Sequence, residues 1–177
     1  MASKIKVDQI QTADGTGTIA LQNQLSGMTT ASLPALGSAQ MPTGSVLQVV
    51  IGENASEVTL STTTYTDTGL SATITPTSTS SKILCLWNMH VYNAATGSGF
   101  GTRLVRGSTN IYTSTQLYDT YSSASQNRRR SDYKHLDSPS TTSALTYKVQ
   151  VASYGSKTLQ SNSESNQTQL VLMEIAG

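Results

Sequence analysis

The run Lys82-Ile83-Leu84-Cys85-Leu86-Trp87-Asn88-Met89-His90-Val91-Tyr92 reads as extended chain. Side chains of a strand alternate between two faces. Ile83, Cys85, Trp87, Met89 and Val91 therefore share one face. The other face begins with Leu84 and Leu86 and ends with Asn88, His90 and Tyr92. A first half that is apolar on both sides implies a strand central in a sandwich, or one covered by another subunit.

The neighbouring text supports that reading. In Thr146 to Tyr154, Tyr147, Val149 and Val151 oppose Lys148 and Gln150, the pattern of a sheet with one wet side. In Gln169 to Ile175, Leu170 and Leu172 oppose Val171, Met173 and Ile175, so apolar residues again occupy both faces. Further strands are expected at Val46 to Ile51, Glu57 to Leu60, Thr63 to Leu70, Ala72 to Thr75, Gly101 to Arg106, Asn110 to Thr115 and Ser131 to Leu136. Turn signals spaced by about 8–12 residues favour a sandwich or barrel over a parallel sheet. Arg106-Gly107-Ser108-Thr109-Asn110 reads as a tight hairpin, with glycine supplying the unusual backbone angle. Among 177 residues, 26 are Ser and 27 are Thr, and only 12% are charged. Thr favours strands, while Ser, Gly and Asn favour turns. The expected fold is all-β: an antiparallel, jelly-roll-like β-sandwich.

Residues 1–43 differ from the rest. Two alternating runs, Lys4 to Ile10 and Thr16 to Leu21, flank the turn signal Asp14-Gly15. A lone hairpin cannot bury a core, so this piece needs a partner surface. Ile5, Val7, Ile10, Ile19 and Leu21 are its candidate docking residues. The division expected is an attachment or oligomerisation segment, 1–43, and a sandwich domain, 44–177.

Chemistry-bearing patterns are scarce. The net charge of +1 sets up no general field for nucleic acid or an acidic membrane. The single cysteine, Cys85, lies in the most apolar run and reads as a buried inert thiol. His90 would lie on the opposite face of that strand. The two histidines, His90 and His135, form no metal-binding spacing, and no cofactor is expected. Asp132 and Asp137 would lie on opposite faces of one strand, which argues against a glycosidase pair. No catalytic residue is expected and the chain reads as a non-enzyme. No stretch is long enough for a membrane span and the N-terminus lacks an apolar signal core, so synthesis in a cytoplasm without export is expected.

The sharpest charge feature is Arg128-Arg129-Arg130, closing the Tyr/Ser/Asn-rich stretch Thr115 to Arg130. That stretch reads as a long exposed loop, or a loop plus an edge strand. Asp119, Asp132 and Asp137 are the expected counter-charges of a solvated run. With Tyr118 and Tyr121 it is also a candidate recognition loop, since Tyr, Ser and Asn suit adaptable contacts and Arg suits anionic sugar or phosphate. A host surface glycan is the candidate outside partner.

Certain phrases carry a resemblance. Ile5-Lys6-Val7-Asp8-Gln9-Ile10-Gln11 with Gly15-Thr16-Gly17-Thr18-Ile19 is similar to N-terminal segments of virion fibre proteins of tailed phages, notably marine and cyanobacterial ones. The remainder resembles a domain that recurs in such structural proteins. The matching pieces are Pro42 to Val50, Ile74 to Leu84, Leu104 to Thr109, Leu136 to Pro139, Thr146 to Gln150 and Met173 to Gly177. The resemblance implies a homotrimeric virion appendage, made in the host cytoplasm and resident in the virion. Residues 1–43 would contact other virion proteins or their own copies, and the sandwich would face outward. The chain has little room for a shaft. The expectation is a short tail fibre or receptor-binding knob, with a capsid decoration protein as the alternative.

Overall fold

The computed structural model describes residues 37, 40–114 and 121–177. The chain divides into two units, Met1–Leu36 and Gly37–Gly177. Among its described residues the second unit is a β-sandwich of ten strands: β1 (Val46–Asn54), β2 (Val58–Leu60), β3 (Thr66–Ile74), β4 (Lys82–Asn93), β5 (Phe100–Arg106), β6 (Thr109–Thr113), β7 (Asn127–Asp137), β8 (Leu145–Ser153), β9 (Leu159–Ser161) and β10 (Thr168–Ile175).

One sheet runs β1-β10-β4, with β7 on the other edge of β4, and the second runs β3-β8-β5-β6. All pairings are antiparallel. The short strands β9 and β2 extend the first sheet beyond the end of β10. Apart from the β5–β6 hairpin, which stays within one sheet, the eight strands other than β2 and β9 alternate between sheets in jelly-roll order, the double Greek key that brings distant strands side by side. β4 is the central strand expected from its sequence, and Ile83, Cys85, Trp87, Met89 and Val91 point into the core. Tyr147, Val149 and Val151 of β8 face them from the other sheet. Phe100, Leu104, Leu70 and Leu172 fill the space between.

Gly52 of β1 lies close against β3. A β-carbon at Gly52 would sit 2.0 Å from the Ser71 carbonyl oxygen, so only glycine fits. At the opposite edge, aromatic rings close the gap. Trp87 stacks on Tyr133 at 5.3 Å and meets the edge of Tyr112 at 5.4 Å. The hairpin between β5 and β6 turns through Gly107 at φ +59, as its sequence suggests.

Three boundaries differ from the sequence reading. Thr63 to Leu70 and Ala72 to Thr75 are not two strands, because β3 runs unbroken from Thr66 to Ile74. Gly69, at φ +81, absorbs a bulge between Asp67 and Ser71, and Thr68 Oγ1 donates to the Val149 carbonyl at 2.8 Å. A bulge inserts a residue without ending pairing. β7 begins at Asn127 and not Ser131, so the three arginines belong to an edge strand and not to an open loop. β9 has only three residues, Leu159–Ser161, too few for a periodic signal. Among the described residues no helix is long and apolar enough to cross a membrane.

Candidate functional site

The outward face of the first sheet is ordered in transverse rows, because residues paired across a sheet share a face. Val49, Met173, Leu84 and Leu136 form one row across β1, β10, β4 and β7. Ile51, Val171, Leu86 and Lys134 form the next. Val46 pairs with Ile175 below them. Val46, Val49, Ile51 and Leu136 are each about half exposed, and Leu84, Leu86, Val171, Met173 and Ile175 are half-buried. These rows make one apolar patch across four strands, and no other element of the described chain covers it. The face apolar on both sides in the sequence is therefore solvent-facing here.

The next row is polar. Glu53 pairs with Gln169, whose amide donates to it at 2.7 Å, and Asn88 pairs with Asp132. Beyond it, His90 pairs with Arg130 and Tyr92 with Arg128. A depression of about 440 Å³ opens at the border between apolar and polar rows, lined by Leu86, Asn88, Asp132, Lys134, Gln169 and Val171. The Asn88 side chain is buried, yet its Oδ1 has no hydrogen-bond partner.

Because the arginine run is a strand, its members separate. Arg128 and Arg130 point outward, and Arg129 points to the other face. Arg128 lies 4.7 Å over the Tyr92 ring and pairs with Glu164. Arg130 reaches Asp132 at 3.7 Å, and Arg129 donates to Asn127 Oδ1 at 3.2 Å. Each cation is thus already answered locally. Burial, with Arg128 and Arg130 beside it, holds the His90 imidazole below its ordinary 6.5. Tyr121 is half exposed and meets the edge of Tyr154 at 5.9 Å. Tyr118, Asp119 and the docking candidates Ile5, Val7, Ile10, Ile19 and Leu21 lie outside the described residues.

Asp137 is not a counter-charge of the arginine run. It is buried at the end of β7, where it accepts from Arg106 Nη1 at 2.6 Å and from the Tyr147 hydroxyl at 2.7 Å. Burial and that hydrogen bond raise the Tyr147 phenol well above its ordinary value. The opposite-face reading of Asp132 and Asp137 holds: the former is outward and exposed, the latter inward.

A second buried carboxylate, Glu174, escaped the sequence reading. Gln48 Nε2 donates to it at 2.6 Å, and the Thr77 amide and hydroxyl each donate at 2.7 Å. Burial pushes this carboxyl upward, but the donors outweigh it and hold it below its ordinary 4.5. Glu174 and Asp137 both pair with Ile83, from opposite sides of β4. The phrases quoted for the resemblance meet here: Gln48, Thr77 and Glu174 in one network, Arg106, Asp137 and Tyr147 in the other. The signal that could have found Glu174 is its place in the Leu170/Leu172 alternation.

Cys85 is fully buried and its thiol is pushed up to about 12, so it is neutral near pH 7. No group of three or more His, Cys, Asp or Glu among the described residues is arranged to hold a metal ion.

No family model matches the chain, and no curated protein matches it. Among solved structures, the chain is similar to a chain of the infectious bursal disease virus Gt strain structure, at 13% identity and TM-score 0.40, covering 82% of this chain and 43% of that one. It is also similar to dimeric latent PorU from Porphyromonas gingivalis, at 9% identity and TM-score 0.34, covering 77% of this chain and 14% of that one. The chain therefore spans less than half the length of either. Likenesses this distant carry no function, so the functional argument rests on the chain's own residues.

Proposed function

We propose that the protein is a non-enzymatic structural component of a tailed-phage virion, a short tail fibre or receptor-binding knob that works as a homotrimer. The observation that carries this reading is the apolar patch of Val49, Ile51, Leu84, Leu86, Leu136, Val171 and Met173. A contiguous apolar patch on a sheet face marks an interaction surface. The two buried carboxylates are engaged in hydrogen bonds within the core, a structural use. The resemblance of the strand-and-turn phrases to phage structural proteins supplies the particle. In this reading residues 1–43 dock on other virion proteins and the sandwich faces outward, with no nucleic acid, membrane or cofactor involved.

Two measurements test it. Sedimentation of the full chain at micromolar concentration is expected to give a trimer, and Ile51→Lys is expected to shift it to monomer while leaving the strand signal in circular dichroism unchanged. A wild-type chain that sediments only as monomer overturns the self-association. The position of the protein in an electron-microscopy map of the particle then separates a tail part, at tens of copies, from a decoration of the head, at hundreds.

A further inference from the structure

We infer that Glu53 of one copy pairs with Lys134 of the next, so that opposite charges at the two borders of the apolar patch set which edges of neighbouring copies meet. This rests on the self-association proposed above and names the contact that orders it. The patch crosses the first sheet from β1 to β7, and each of these strands pairs with one neighbour only. Glu53 is the only charged residue of β1. It follows Ile51 on the outward face, and its carboxylate accepts from Gln167 Nε2 at 2.8 Å and from Gln169 Nε2 at 2.7 Å. Both donors are neutral amides, so they hold the carboxylate in place and leave its charge unmatched. Lys134 closes the row of Ile51, Val171 and Leu86 at the β7 border. It is exposed, and among the described residues it forms no ion pair. The other outward charges of β7 are already met, Arg128 by Glu164 and Arg130 by Asp132. The face therefore carries an unmatched negative charge at one border and an unmatched positive charge at the other. Lys82 also lacks an ion pair, but it lies on central β4 at the far end of the patch from Glu53.

Every interface of a closed threefold ring is heterologous, with different surfaces of two copies in contact. With the apolar faces turned to the ring axis and the strands along it, the β1 border of one copy lies against the β7 border of its neighbour. Equal rows then lie at equal height. Glu53 and Lys134 stand one row apart, about 7 Å along the strand, a span that these two long side chains bridge. Asp132 stands at the height of Glu53, but Arg130 and Lys134 flank it on either side. An arrangement that brought like borders together would set Glu53 against Glu53 and Lys134 against Lys134, and such repulsion selects against it.

The experiment is sedimentation equilibrium of the full chain as wild type, Glu53→Lys, Lys134→Glu and the double variant with both changes. Each single reversal sets like charges together at all three contacts of the ring. It is expected to raise the concentration at which half the chain is monomer at least tenfold. The double variant restores opposite charges and is expected to return to within threefold of wild type. Both residues are exposed, so all variants are expected to keep the wild-type strand signal in circular dichroism. Single variants that associate like wild type, or a double variant no stronger than the singles, overturn this pairing and leave the self-association standing. A wild-type chain that is only monomer overturns both.

Discussion

The two ends of β4 are built on opposite principles. At the Ile83 end, Glu174 and Asp137 flank the strand inside the core, and each carboxylate is met by hydrogen-bond donors from distant parts of the chain. At the Asn93 end, the buried oxygens Asn93 Oδ1, Ser98 Oγ and Ser163 Oγ have no partner. Around them Gln126, Asn162 and Glu164 hold left-handed backbone at φ 54, 58 and 59. Left-handed backbone in non-glycine residues costs energy that surrounding structure must offset. The first end is specified for stability. The second gives up stability, and such sites cluster where a surface works on something else.

The largest break in that comparison comes from Glu174→Ala. It takes an acceptor from the half-buried Gln48 amide and from the amide and hydroxyl of the exposed Thr77, and removes a fully buried side chain. The expected loss is roughly 3–4 kcal/mol in urea unfolding. Asn93→Ala, at the other end, deletes an oxygen that has no partner and is expected to cost well under half as much. Equal losses would erase the distinction between the ends. The pH dependence has a definite sign. The folded-state value of Glu174 lies below its unfolded 4.5, so its contribution is complete above pH 4.5. It is lost as pH falls through the lower folded value. Glu174→Gln is expected to flatten that acid limb.

Much of this architecture is legible in the sequence, and the reasons are physical. Period-two alternation placed Ile83, Cys85, Trp87, Met89 and Val91 inward because a strand buried on one face must alternate. The apolar outer row was legible from Leu84 and Leu86 for the same reason. The two carboxylate networks were not, because their members come from segments up to 126 residues apart, as in the Gln48–Glu174 bond. Alternation reports the face of a residue, not its partner. Asp137 reads as one more charge near three arginines until the fold shows Arg106 beside it. The depression at Asn88 was hidden likewise, since it is assembled from β4, β7 and β10.

A smaller effect sharpens the Ile83 end alone. Tyr147→Phe removes the hydroxyl that donates to Asp137 but keeps the ring in place. Arg106 still holds the carboxylate at 2.6 Å, so the network is weakened and not orphaned. The expected loss is about 1.5–3 kcal/mol, the usual worth of a hydrogen bond to a charged group. Thermal unfolding at neutral pH measures it, and a change near zero would mean that Arg106 alone satisfies Asp137.

The smallest effect lies on the outer face near the Asn93 end. Arg128 and Glu164 are both exposed, and an exposed ion pair is worth about 0–1 kcal/mol. Arg128→Ser is therefore expected to leave the unfolding midpoint almost unchanged. Its electrostatic consequence is larger than its energetic one. After burial, Arg128 is the leading cause that holds His90 below 6.5. With the guanidinium gone and the Glu164 carboxylate uncompensated, the folded His90 value moves up toward its unfolded one. A depressed His90 contributes stability above pH 6.5 that is lost as pH falls through the folded value. Narrowing the gap shrinks that contribution and flattens the slope between the two. An NMR titration of the His90 ring protons in wild type and Arg128→Ser reads the shift directly. An unchanged titration midpoint would show that Arg128 exerts no field on the imidazole and that burial and Arg130 set it.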